Sequence, residues 1–93
     1  MDSNGWTALH HASYLGDADS VEILLQSNAD VMAFSNQKKT ALHLASLNDH
    51  VEVIQILLQY GALLEAEDEH KSTPLHLACK KGNLESVMLL LQA

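Results

Sequence analysis

Thr40 to Ala45 reads TALHLA, and nearly the same phrase stands at one fixed distance on either side of it. Thr7 to Ala12 reads TALHHA and Thr73 to Ala78 reads TPLHLA, each thirty-three residues away. Apolar runs follow in the same register: Val21-Glu22-Ile23-Leu24-Leu25, Val53-Ile54-Gln55-Ile56-Leu57-Leu58 and Val87-Met88-Leu89-Leu90-Leu91. Self-similarity at a period of this size marks a stacked array, in which each unit buries an apolar face against its neighbour. The phrase also dictates a helix start. Thr7, Thr40 and Thr73 stand where an N-cap hydroxyl can accept from the backbone N–H three residues on, which belongs to His10, His43 or His76. Pro74 suits the first helical position, where no amide hydrogen is needed. Leu9, Leu42 and Leu75, followed three residues later by Ala12, Ala45 and Ala78, give a core stripe at helical spacing whose small members let helices approach closely.

The turns follow from the same register. Gly16 and Gly82 supply positive φ between the two helices of a unit, and Asp49 replaces them in the middle unit because Asp tolerates that region. The second helix then begins near Asp17, His50 or Asn83, with Asp19, Glu52 or Glu85 in the first turn, where the helix dipole favours negative charge. It ends at Asn28 and Gly61, both suited to a left-handed cap.

The T-P-L-H-x-A core at this spacing resembles the ankyrin repeat, over almost the whole chain. The resemblance implies an all-α solenoid of three helix-turn-helix units with short β-hairpin fingers, the units running 2–34, 35–67 and 68–93, the last truncated. It implies that the linking segments Ala29 to Lys39 and Ala62 to Ser72 are the fingers. The family's turn glycine survives only as Gly5, with Lys38 and Lys71 in the later positions, so a strained or altered turn is expected there. The family's asparagine after the outer helix is replaced by Met32 and Glu65, so no modification of it carries over. His11 and Ser20 stand where the middle unit has Leu44 and Val53, as in an outward-facing N-terminal edge. Leu89, Leu90 and Leu91 show no such softening, so the chain is expected to be a segment of a longer array.

Five lysines and no arginine against twelve carboxylates give a formal charge of −7. Phosphate binding needs clustered positive charge, so nucleic acid is not an expected partner. The apolar runs are far shorter than the roughly twenty residues that a membrane span needs, and no charged-then-apolar leader opens the chain. The expectation is a soluble, unsecreted monomer of the cytoplasm or nucleus, without membrane insertion. The single Cys79 cannot form an internal disulfide, which fits a reducing compartment.

Six histidines raise the question of metal, but those of the motif lie one unit apart, and packed helices are about 8–10 Å from axis to axis. Zinc needs its nitrogens about 2.0–2.1 Å from one ion, so no metal is expected. The resemblance gives these histidines a structural role, bonding to backbone and tying finger to helix. His76 and Cys79 share a helical face, yet Cys79 stands where Ser13 and Ser46 do, as a small buried residue. No orienting group, oxyanion hole, phosphate loop or carboxylate pair accompanies them, so neither catalysis nor a cofactor is expected. Glu65, Glu67, Asp68 and Glu69 read as a solvated finger or as a docking point for a basic segment, with Lys80 and Lys81 drawn toward it.

Ankyrin arrays use fingers and inner helices as a concave protein-binding surface, so the resemblance implies a non-catalytic interaction module or scaffold. A regulatory or targeting segment of a larger enzyme, kinase or channel, and a structural spacer, are the alternatives. The family's variable positions hold Trp6, Tyr14, Leu15 and Phe34 in the first unit. They hold Lys39, Leu47, Asn48 and Glu67 in the second, and Ser72, Lys80 and Lys81 in the third. Tyr14, Phe34 and Leu47 are expected to anchor an apolar segment of a partner, and Glu67 and Glu69 to orient its basic flank. Trp6 folding over the stack's N-terminal edge, and Phe34 packing into the base of its finger, are the competing structural roles.

Overall fold

The structure, a computed structural model, describes residues 3–93, so the start of the first unit at Asp2 lies outside the described residues. Among the described residues, six helices form three hairpins: α1 (Ala8–Leu15) with α2 (Ala18–Gln26), α3 (Ala41–Leu47) with α4 (Val51–Gln59), and α5 (Pro74–Lys81) with α6 (Leu84–Gln92). The inner helices α1, α3 and α5 pack on one another in sequence, as do the outer helices α2, α4 and α6, which gives two stacked layers.

Each inner helix starts with a capping box that is reciprocal. The threonine Oγ1 accepts from the histidine N–H at 3.3 Å in all three units. The histidine Nδ1 in turn accepts from the threonine N–H, at 2.9 Å for Thr7 and 3.1 Å for Thr40 and Thr73. Two otherwise unpaired helix-end donors are thereby satisfied, with histidine in the place where glutamate usually stands.

The helix ends use the left-handed region as the sequence indicates. Asp49 takes φ 59° between α3 and α4, where Gly16 and Gly82 take 77° and 72°. Asn28 and Gly61 follow the outer helices with φ 70° and 91°. Around them the Ala29 N–H reaches the Leu24 carbonyl and the Asn28 N–H the Leu25 carbonyl, a Schellman arrangement that is repeated around Gly61. Of the three residues that open the outer helices, Asp17 caps, accepting from the Ser20 N–H at 3.2 Å, whereas His50 and Asn83 make no cap bond.

The fingers are hairpin-shaped turns, and no strand occurs among the described residues. In the second finger the Lys38 N–H reaches the Ser35 carbonyl, and the Ser35 N–H reaches the Lys39 carbonyl. The third finger repeats this with Asp68, Lys71 and Ser72. Lys38 and Lys71 have φ 62° and 61°, so the lysines take the left-handed conformation that Gly5 takes at 74° in the equivalent place, where a non-glycine residue carries strain.

The core runs through the stack and is densest in the middle unit. Leu42, Leu44, Ala45, Val53, Ile54 and Leu57 are all at 1% exposure or less. Leu9, Val21 and Leu25 extend it on one side, and Ala78 and Leu90 on the other.

Candidate functional site

The motif histidines are committed to structure. His10 Nε2 donates to the Lys39 carbonyl and His43 Nε2 to the Ser72 carbonyl, each at 2.8 Å. With Nδ1 already accepting from threonine, both ring nitrogens are used, and the proton is fixed on Nε2. Each histidine therefore ties the start of its own helix to the finger of the next unit. Burial pushes the His43 pKa down, against the raising effects of the Ser72 carbonyl and of Asp68. The ring stays neutral, as this pair of bonds requires.

Further bonds cross between units from residues at and just after the turns that join the paired helices. The Asn48 Nδ2 and the His50 Nε2 both donate to the Tyr14 carbonyl at 2.9 Å. Asn83 Nδ2 donates to the carbonyls of Ser46 and Leu47, and Ser86 Oγ donates to Asp49 Oδ1 at 2.6 Å. A Cβ on Gly16 would lie 2.5 Å from the His50 ring, so glycine is needed there for space as well as for φ. These contacts place the C-terminal turns of the inner helices side by side, and those turns carry the candidate binding residues.

Along this row the side chains differ from unit to unit. Tyr14 and Leu15 are 40% and 72% exposed. Leu47 and Asn48 are half-buried, and Lys80 and Lys81 are exposed. Trp6 is half-buried and lies over α1, with its ring centroid 5.0 Å from that of His11 and 5.2 Å from that of Tyr14. Its ring thus rests on side chains of α1, and Tyr14 beside it is exposed. Asn48 spends an amide N–H on the preceding unit, which makes it a positioning residue for the row.

Phe34 is 53% exposed and lines a separate cleft with Met32 and residues 62–66 at the base of the third finger. Leu63 N–H donates to Met32 Sδ there at 3.4 Å. That cleft shares no lining residue with the groove lined by Leu47, Lys80 and Lys81, so Phe34 and Leu47 present apolar surface in two different places.

The carboxylates of the third finger are not equivalent. Glu65, Glu67 and Glu69 are exposed, whereas Asp68 is buried at 4% exposure. Its Oδ1 accepts from the N–H groups of His70 and Ser72 at 2.9 Å, and Lys39 Nζ lies 2.9 Å from Oδ2. Burial raises its pKa, but the Ser72 N–H, the Lys39 ammonium and the His70 N–H outweigh it and bring it to about 2. Asp68 is therefore a turn-forming residue and not a docking carboxylate. Lys39 neutralises it, and neither Lys80 nor Lys81 makes an ion pair among the described residues. Glu69 lies 3.5 Å from His70 Nε2.

Cys79 corrects the expectation of a small buried residue. Ser13 and Ser46 in the equivalent positions are fully buried, but Cys79 is exposed, because no described helix packs against that face of α5 as α3 and α5 do against α1 and α3.

A model described as ankyrin repeats in three copies matches residues 34–93, and one described as ankyrin repeats in many copies matches residues 9–58. The chain belongs to the ankyrin-repeat family. No curated protein matches it significantly. Ankyrin repeats are a general protein-protein interaction module and typically non-catalytic, and this ankyrin chain shows the helical solenoid of such repeats. No helix among its described residues is long and apolar enough to cross a membrane.

Proposed function

We propose that this ankyrin domain binds a segment of another protein along the concave face made by its fingers and the C-terminal turns of its inner helices. One observation carries the reading. Tyr14-Leu15, Leu47-Asn48 and Lys80-Lys81 occupy equivalent places on three equivalent helices, yet they are chemically unrelated, whereas the residues just before them repeat. The scaffold dictates the repeating residues, whereas Leu15, Lys80 and Lys81 are exposed and Tyr14, though its ring meets Trp6, remains 40% exposed. Exposed apolar groups on such a surface mark a binding site more than buried ones do.

In this reading Tyr14 and Leu47 hold the partner's apolar segment from the helix side, and Phe34 holds it from the finger side. Glu67 and Glu69 orient its basic flank. The cytoplasm or nucleus is the proposed setting, where the exposed Cys79 thiol would remain reduced.

The test is selection of displayed random peptides against the folded domain, followed by affinity measurement on variants. Replacing Tyr14 and Phe34 together by Ala should weaken the selected peptides by about thirtyfold or more, as for interface hot spots, with the melting temperature unchanged. Glu67→Lys should chiefly slow association and alter its salt dependence. Normal binding by the double variant, or loss of binding only through unfolding, would overturn the reading.

A further inference from the structure

One cleft gathers positive charge in a chain that is otherwise acidic. It has a volume of about 370 Å³, and its walls include Lys39, Leu47, Asp68, Leu77, Lys80 and Lys81. Three of the chain's five lysines therefore line one concavity, against one carboxylate, while the whole chain carries −7. Asp68 and Lys39 offset each other inside the wall, the Asp68 side chain being 1% exposed and bonded to Lys39 and to two backbone N–H groups, which leaves Lys80 and Lys81 as the cleft's uncompensated cations. Lys80 and Lys81 are exposed and make no ion pair among the described residues.

The helix dipole alone does not account for this pair. A cation in the last turn of α5 is favoured by the dipole, but α1 and α3 end without one, so helix ends in this fold do not require it. The buried Leu77 and half-buried Leu47 add apolar wall to the same cleft. A low-dielectric wall beside charges of one sign concentrates their field on whatever enters.

Resting on the concave-face reading above, we infer that this cleft receives a glutamate or aspartate side chain of the partner segment, with a neighbouring apolar side chain on Leu47 and Leu77. Together with Glu67 and Glu69 on the finger, the cleft presents opposite charges on the two sides of the bound segment. That arrangement fixes the direction and register in which the partner lies, which is the usual contribution of charge complementarity.

The experiment is a titration of the isotope-labelled domain, followed by NMR, with a short peptide alternating leucine and glutamate and with its glutamine counterpart. The glutamate peptide should shift the amides of Leu47, Leu77, Lys80 and Lys81. The glutamine peptide should bind about fivefold more weakly, the middle of the range for two exposed ion pairs, and raised salt should narrow the gap. Lys80→Gln with Lys81→Gln should remove the preference while leaving the melting temperature unchanged. Equal binding of the two peptides, an unaltered preference in the double variant, or shifts confined to other elements would overturn the inference. So would inorganic phosphate saturating the same amides as tightly as the peptide, which would make the cleft a simple anion site. If selected peptides still depend on Tyr14 and Phe34 while the glutamate preference is absent, only the acidic-residue inference fails. If that dependence is also absent, the concave-face reading fails with it.

Discussion

The second and third units carry the same motif, but among the described residues only the second is enclosed on both sides, and the same positions behave differently in the two. Leu42, His43, Ser46 and Ile54 are fully buried. Their counterparts one period later are half-buried Leu75, exposed His76, exposed Cys79 and half-buried Val87. His43 makes both its bonds, whereas His76 keeps only the capping box to Thr73. Burial and hydrogen bonding in this fold thus belong to the junction between units. A unit's inner helix and the next unit's finger are one structural element, joined by the motif histidine. The first unit shows the complementary flank: Leu44 and Val53 are buried, while His11 is exposed and Ser20 half-buried in the same positions.

The largest expected effect is in the enclosed unit. Leu57→Ala, at a site with no exposure, should cost about 2–5 kcal/mol and unfold most of so small a stack, whereas Leu91→Ala, at 66% exposure, should change stability by about 0.5 kcal/mol or less. Chemical denaturation of the two variants measures the contrast, and similar losses would break it. His43→Ala should come next, at about 1–3 kcal/mol through unsatisfied backbone groups, with His76→Ala clearly milder because it leaves no finger carbonyl behind. Since His10 and His43 use both ring nitrogens on backbone, a chelator should leave the melting temperature unchanged; a drop of several degrees would contradict that use.

Acid should unfold the domain in two steps that report on the same junction. The folded pKa of His43 is depressed, so the unfolded chain takes up a proton that the folded one refuses. Stability is then present above the ordinary histidine value of about 6.5 and falls as pH drops below it. Asp68 is depressed from 3.8 to about 2, so its share, about 2 kcal/mol, is present above 3.8 and lost as pH falls toward 2. Denaturation midpoints across this range should show Asp68→Asn losing the second step, and His43→Ala the first; unchanged slopes would argue against either assignment. The smallest effect concerns Ser46, whose buried hydroxyl has no partner among the described residues. Ser46→Ala should be neutral or stabilising by up to about 1 kcal/mol, while Cys79→Ala, being exposed, should do little.

Much of this was legible in the residues, because local physics sets it. The threonine caps, Asp49 in the left-handed region and the caps at Asn28 and Gly61 follow from side-chain chemistry within a few positions. The finger turns hold Lys38 and Lys71 in the left-handed region, the strained form the sequence led one to expect, since the surrounding bonds outweigh the modest cost of a left-handed non-glycine residue. What depends on a neighbouring unit was not legible. Asp68 looked like one of four finger carboxylates, and only the folded turn brings Lys39, His70 and Ser72 around it. His50 and Asn83 read as helix starts and Asn48 as a binding position, yet all three bond to carbonyls one unit back. In the candidate site, register placed Phe34 and Leu47 on the binding side but said nothing of which cleft each would line.

The central claim, that each unit is completed by its junction with the next, is tested most directly by hydrogen exchange on the 93-residue chain. The amides of Ile54 to Leu58 should exchange only through global unfolding, and those of Leu89 to Leu91 faster, through local opening of α6. Equal protection of the two segments would contradict it.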